Sequence, residues 1–171
     1  MKILITYFSN TGNTEKVAKA IKEGFGKENV DLIPVDKVDP DALQAYDLIL
    51  LGSGIYASRI NNSIVNLVKK ATSIPSKFAY FCTHASLNFY QKPFIKVSEI
   101  LEKHDCEIVG EFDCVGDNIG IPEKQKTDML NRLPPDKRKE AVETQKLIKG
   151  RPNSKDLENA KKFAQILIKK I

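Results

Sequence analysis

A chain of 171 residues with 42% hydrophobic and 29% charged side chains is large enough for one buried core and has the composition of an ordinary globular protein. Its net charge is +5, and it has no run of 18 apolar residues that would span a membrane. Three cysteines, Cys82, Cys106 and Cys114, are an odd number without CxxC spacing, which argues against a disulfide framework, and two histidines, His84 and His104, provide no metal-ligand set.

The elements alternate in type along the chain. Residues 2–8, with Ile3, Leu4, Ile5, Tyr7 and Phe8, read as a central strand buried on both faces. Val17, Ala18, Ile21 and Phe25 then recur at helical spacing, which predicts a helix over about 14–25 starting at Thr14-Glu15. A second strand is expected at 29–35, a short helix at 41–46, a third strand at about 47–52 and a helix at 61–73. The fourth strand falls at 77–84, the next helix at 92–104 and the fifth strand at 106–116. The last helix, 154–171, has Ser154 as its expected cap. Strands alternating with helices of this length predict an α/β fold of three layers around a parallel sheet. One domain over 1–171 is expected, with an excursion at about 118–153. That stretch is highly charged, is broken at Pro134-Pro135 and offers a short helix over 136–148. A lid, a partner surface and a mobile loop all remain open for it.

In folds of this class ligands bind beyond the C-terminal ends of the strands. The first such loop is Ser9-Asn10-Thr11-Gly12-Asn13-Thr14, six small polar residues ahead of a helix whose N–H groups point back at it. It suits an anion. A nucleoside-triphosphate loop is excluded because no lysine follows Gly12 and no upstream glycine stands at the required spacing. The GxGxxG dinucleotide fingerprint is also missing. What remains is a turn able to wrap one terminal phosphate with the Ser9, Thr11 and Thr14 hydroxyls and the N–H groups of 10–14, or a capped turn that binds nothing.

This loop resembles the phosphate loop of the flavodoxins, in which Ser or Thr, any residue, Thr, Gly, any residue, and Ser or Thr follow the first strand. Ser9, Thr11, Gly12 and Thr14 fill the four specified positions, with Asn10 and Asn13 at the variable ones. The resemblance implies flavin mononucleotide (FMN) as cofactor and a flavodoxin-like sheet of five parallel strands in the order 2-1-3-4-5. It extends to the loop after strand three, where Ser53, Gly54, Ile55 and Tyr56 would meet the flavin ring and Tyr56 would stack on it. A peptide flip at Gly54 or Ile55 on reduction is implied too. After strand four, Thr83, His84, Ala85 and Ser86 fall where flavodoxins place a third FMN loop, with Tyr90 as a candidate for the other ring face. After strand five, Asp117 and Asn118 reach the same pocket by topology. The "GSGIY" form of the second loop is similar to the menaquinone-dependent protoporphyrinogen oxidases within the wider flavodoxin-domain group.

The resemblance implies a small electron carrier. The alternative is a flavin-dependent oxidoreductase acting on a quinone, a porphyrinogen or a similar flat substrate, and a third reading is an interaction protein that has lost its flavin. No catalytic residue is assigned. The basic charge departs from the usual flavodoxin, which is acidic. Residues 61–100 hold five basic side chains against one acidic, an excess that can attract an acidic partner or merely be solvated. A redox partner protein or a quinone-type small molecule is expected. Peripheral contact with an anionic membrane stays open, and nucleic acid is not expected, because no basic cluster is interleaved with exposed aromatics. Met1-Lys2 leads directly into the first strand, so a cytoplasmic location is expected.

Overall fold

The computed structural model describes residues 1–87 and 92–171. Five parallel strands, β1 (Lys2–Phe8), β2 (Asn29–Pro34), β3 (Leu48–Gly54), β4 (Lys77–His84) and β5 (Glu107–Val115), form one sheet in the order β2-β1-β3-β4-β5. The strand order expected for a flavodoxin-like α/β fold is therefore present. Register is continuous along β1 and β3, from Ile3 opposite Leu48 to Phe8 opposite Ser53.

The apolar runs bury both faces of the sheet because successive side chains point to opposite sides. Ile3, Ile5, Leu48, Leu50, Ala79 and Phe81 join one core with Val17, Ala18 and Ile21 of α1 (Asn13–Gly24) and Ala160, Ala164 and Leu167 of α6 (Ser154–Ile168). Leu4, Ile49, Leu51, Phe78, Tyr80 and Cys82 join the other, with Ile64 and Leu67 of α2 (Asn62–Lys70) and Val97 and Leu101 of α3 (Ile95–Glu102). Right-handed crossovers place helices on both faces in this way. The α1–α6 pair packs so closely that a Cβ on Gly24 would sit 2.3 Å from the Lys161 carbonyl oxygen. The short helix expected near residue 41 is a 3-10 turn, Pro40–Ala45, whose Asp39 side chain accepts from the Asp41 N–H at 3.1 Å. All three cysteines are free thiols, and burial pushes Cys114 up to about 12 and Cys82 higher still.

Two features of the C-terminal third differ from expectation. The excursion holds two helices: α4 (Glu123–Asn131) and α5 (Pro135–Ile148). The first was not expected, because it buries no residue and so has no apolar stripe to read. The cap of α6 is Asn153, not Ser154. Asn153 Oδ1 accepts from the Lys155 and Asp156 N–H groups, and the Asp156 carboxylate accepts from the Asn153 N–H at 2.8 Å, a capping box. Burial pushes the Asp156 carboxyl upward, but the Arg151 guanidinium and the Asn153 N–H outweigh it and hold the group below the ordinary carboxylate range.

Candidate functional site

The connection leaving β1 runs to β2 on one side of the sheet, and that leaving β3 runs to β4 on the other. A crevice opens at the C-terminal edge between them. Four turns line it.

The first is the turn after β1. Gly12 caps α1 with a φ of 87°, a left-handed conformation that costs glycine nothing and has no side chain to cap the helix. Ser9 supplies the cap from behind: its Oγ accepts from the Gly12 N–H at 3.1 Å and the Glu15 N–H at 3.3 Å. The Asn10 N–H donates to the Tyr56 hydroxyl at 3.1 Å. The N–H groups of Thr11, Asn13 and Thr14 then have no protein acceptor among the described residues. These donors cluster at the positive end of the α1 dipole. Asn13 and Thr14 are buried. Asn13 Nδ2 donates to the Asp117 carbonyl at 2.8 Å, while its Oδ1 is buried without a partner among the described residues. The Thr14 and Thr83 hydroxyls pair at 2.9 Å, joining the first turn to the third.

The second turn follows β3. Ser53 is fully buried; its Oγ accepts from the Asn61 N–H at 3.0 Å and donates to the Gly54 carbonyl at 2.7 Å. The Ile55 N–H donates to the Thr83 carbonyl at 2.9 Å. The Gly54–Ile55 peptide is thus tied at both ends, and flipping it breaks two hydrogen bonds, about 1–3 kcal/mol together. Tyr56 and Arg59 exchange N–H and carbonyl bonds of 2.8 and 3.0 Å across Ala57 (φ 47°) and Ser58 (φ 66°). The Tyr56 ring meets Phe8 edge-on, at 5.9 Å and 81°, so its hydroxyl bond to Asn10 ties the second turn to the first.

The third turn brings Thr83, His84 and Ala85 to the crevice. The His84 ring is held on both sides: the Ser86 carbonyl accepts from Nδ1 at 2.8 Å, and Asp113 Oδ2 lies 2.9 Å from Nε2. The fourth, after β5, adds Gly116 to Ile121. It is pinned at its base by Asp117, whose N–H donates to the Arg151 carbonyl and whose carboxylate accepts from the Gly150 N–H.

Together they enclose a cleft of about 360 Å³. Of the residues singled out in the sequence, Asn10, Thr11, Asn13, Thr14, Gly54, Ile55, Tyr56, Thr83, His84, Ala85, Asp117 and Asn118 line it. Ser9, Gly12 and Ser53 shape the turns from behind, and Ser86 lines a neighbouring groove. Tyr90 lies outside the described residues. Ala57, Gly116, Gly120 and Ile121 line the cleft without having been singled out. The two glycines carried the available signal: a Cβ on Gly116 would sit 2.9 Å from Asn13 Nδ2, and one on Gly120 would sit 2.6 Å from Thr11 Cγ2, so both keep the first turn clear.

The donor set fits FMN. Three amide N–H groups at a helix N-terminus suit a phosphate dianion, and the lining contains no lysine or arginine to hold it instead. The orphaned Asn13 Oδ1 suits a hydroxyl donor. Among the described residues no cluster of His, Cys, Asp and Glu could hold a metal ion, and no helix is long and apolar enough to cross a membrane.

Likenesses to known proteins agree with this geometry. An uncharacterized protein of Methanocaldococcus jannaschii is 35% identical over 172 residues, 99% of each chain. The crystal structure of oxidised flavodoxin 1 from Bacillus cereus is similar with a TM-score of 0.67, at 16% identity, over 100% of this chain and 99% of that one. A Lactobacillus acidophilus flavoprotein in complex with FMN is similar with a TM-score of 0.52, at 21% identity, over 66% of this chain and 92% of that one. The model of the flavodoxin domain matches residues 4–165, nearly the whole chain, and the chain belongs to that family.

Proposed function

We propose that this protein is an electron carrier of the flavodoxin type that binds FMN in the cleft between its first, second and third turns. The observation that carries the reading is the set of N–H groups at Thr11, Asn13 and Thr14, without a protein acceptor among the described residues, at the start of α1 beside a cleft that no lysine or arginine lines. When bound, FMN supplies the reversible uptake and release of electrons. The chain supplies position and electrostatics. The three amides and the Thr11 hydroxyl hold the terminal phosphate, its charge met by dipoles and not by a lysine. The Gly54–Tyr56 turn, its backbone already held by Ser53, Thr83 and Arg59, would border the flavin, and the Tyr56 ring would help to keep water from it. Because Ser53 and Thr83 fix the Gly54–Ile55 peptide, this chain meets the ring with a stiff edge. His84, held by Ser86 and Asp113, borders the same space without free rotation.

The family and its flavodoxin neighbours support the carrier. The oxidoreductase alternative, drawn from the likeness of the second loop to protoporphyrinogen oxidases, gains no support from them. A redox protein as partner and a cytoplasmic place of action belong to the same proposal.

The test is flavin binding followed by visible absorbance and by fluorescence quenching. The full chain is expected to take up FMN and turn yellow. Thr11→Ala is expected to weaken FMN about 10-fold or more, since a hydrogen bond to a charged group contributes about 1.5–3 kcal/mol. The same change should leave riboflavin, which has no phosphate, unaffected. A Thr11→Ala variant that binds FMN as tightly as the parent, or loses both flavins equally, removes the phosphate assignment.

A further inference from the structure

His84 ends β4 and lines two cavities. One is the cleft described above; the other is a hollow of about 300 Å³ at the edge strand β5, lined also by Asp113, Arg151 and Asp156. The His84 side chain is 5% exposed and the Asp113 side chain beside it 56%. The pair thus joins a buried ring at the cleft to a carboxylate in solvent.

Both of these partners of the ring are acceptors. The Ser86 carbonyl lies 2.8 Å from Nδ1 and Asp113 Oδ2 lies 2.9 Å from Nε2. A neutral imidazole has one N–H, so it meets one partner and turns a lone pair on the other. Only the doubly protonated ring donates to both. The charged groups nearby are already matched. Arg151, ahead of α6, is paired with Asp156 on it, and Asp117 of the fourth turn accepts from the Gly150 N–H. Burial keeps the Cys114 thiol of β5 uncharged, and the Tyr56 hydroxyl of the second turn accepts from the Asn10 N–H. No unmatched positive charge among these groups opposes a cation at His84.

We propose that His84 is the cation of the flavin cleft: an imidazolium locked between Ser86 and Asp113, it favours FMN in its reduced, more negative state. The inference rests on the flavin-carrier reading. Two-electron reduction adds two electrons from the partner protein and one proton from water, at N5, so the bound flavin gains one negative charge. No lysine or arginine lines the cleft to meet that charge. His84 does line it, and Asp113 does not. The ion pair is therefore a dipole with its positive end at the cleft and its negative end in water, which screens it. Both ring nitrogens are engaged, so His84 offers charge and not a proton. Asp113 is a positioning residue: it acts through His84, by requiring the second ring proton.

The experiment uses the full chain, labelled with nitrogen-15, and FMN as probe. Imidazole nitrogen spectra of the flavin-free chain read the ring protons at the pH of the binding measurement. Dissociation constants are then measured for oxidised FMN and for FMN reduced by excess dithionite, which is itself oxidised to sulfite. In the parent both His84 nitrogens are expected to carry protons. Asp113→Asn keeps a partner of the same shape, but its amide can donate to a bare Nε2, so one ring proton is expected to be lost. In this variant and in His84→Gln the preference for reduced over oxidised FMN should fall about tenfold, which lowers the two-electron potential by about 30 mV. Glu111→Gln removes a carboxylate from the same strand that lines neither cavity, and is expected to change nothing. Uptake of oxidised FMN shows that each variant is folded, and the exposed Asp113 supplies the test on its own if His84→Gln does not fold. A merely structural tie would survive Asp113→Asn, so a preference equal to the parent's overturns the proposal. A parent ring with one bare nitrogen, or an equal fall in Glu111→Gln, does the same. A chain that takes up no FMN removes the carrier reading and this inference with it; one that takes up FMN with a preference unmoved by the variants removes the inference alone.

Discussion

Thr14 shows how much a single residue's sequence context conceals. Its position ahead of a helix marks it as a hydroxyl for the phosphate, and it does line the cleft. Its Oγ1, however, is paired with that of Thr83, 69 residues away. No local pattern displays a partner on another strand. Ser53 is similar: read as a flavin contact, it is a buried brace that holds the Asn61 N–H and the Gly54 carbonyl. Ser53→Ala leaves both without a partner, and an unmet buried group costs about 1–3 kcal/mol. Denaturant unfolding of the parent and the variant checks this; a loss under half a kilocalorie means the brace is dispensable. Asp156 gives a prediction in pH. Its folded carboxyl titrates below its unfolded value, so its contribution is complete above the ordinary carboxylate pKa near 4 and is lost as pH falls through the lower folded value. Asp156→Asn is therefore expected to destabilise at pH 7, by about 1–3 kcal/mol, and the gap to the parent should narrow as pH falls below the ordinary carboxylate range. A gap that stays constant as the pH is taken well below that range would show that charge is not what holds the Arg151 and Asn153 contacts.

At the level of elements, legibility followed burial. Strands β1, β3 and β4 are almost wholly buried, so their apolar runs stand out, and they were placed within two residues of their observed ends. Helices α1, α2 and α6 keep an apolar stripe because each covers a sheet face. Alpha-4 has no such stripe, and hydrophobic periodicity cannot find a helix that buries none of its residues. The α6 cap was readable but misplaced: Asn153 followed three residues later by Asp156 is the capping-box spacing, and Ser154 next to it was the distraction. The loop after β3 was legible, but its conformation was hidden for another reason. Ala57 and Ser58 both take positive φ without being glycine, so their types give no sign of a primed turn. Each is held there at a cost of about 1–2 kcal/mol by the paired Tyr56 and Arg59 backbones. Ala57→Gly is expected to relieve part of that cost and raise the melting temperature by about 2–4 °C, as read by thermal unfolding. A lower melting temperature would mean that glycine's extra freedom in the unfolded chain outweighs the relief.

For the molecule as a whole, the sheet acts as a partition. The switch between β1 and β3 that opens the cleft also sends α1 and α6 to one face and α2 and α3 to the other, so two cores are built that share only the backbone of the sheet. This follows from the period of two along each strand: Leu50 and Leu51 are neighbours in sequence but lie in different cores. The two cores should therefore contribute independently to one cooperative unfolding. Ile21 is buried in the first, beneath α1, and Leu67 in the second, beneath α2. Each truncation to alanine is expected to cost about 2–5 kcal/mol, the range for large-to-small changes in a packed core. With no shared partners, the double variant should lose the sum of the two to within about 0.5 kcal/mol. Denaturant unfolding of the four proteins in the cycle measures this. A coupling above about 1 kcal/mol would show strain passing through the sheet from one core to the other. The cleft at its edge would then feel repacking on both faces.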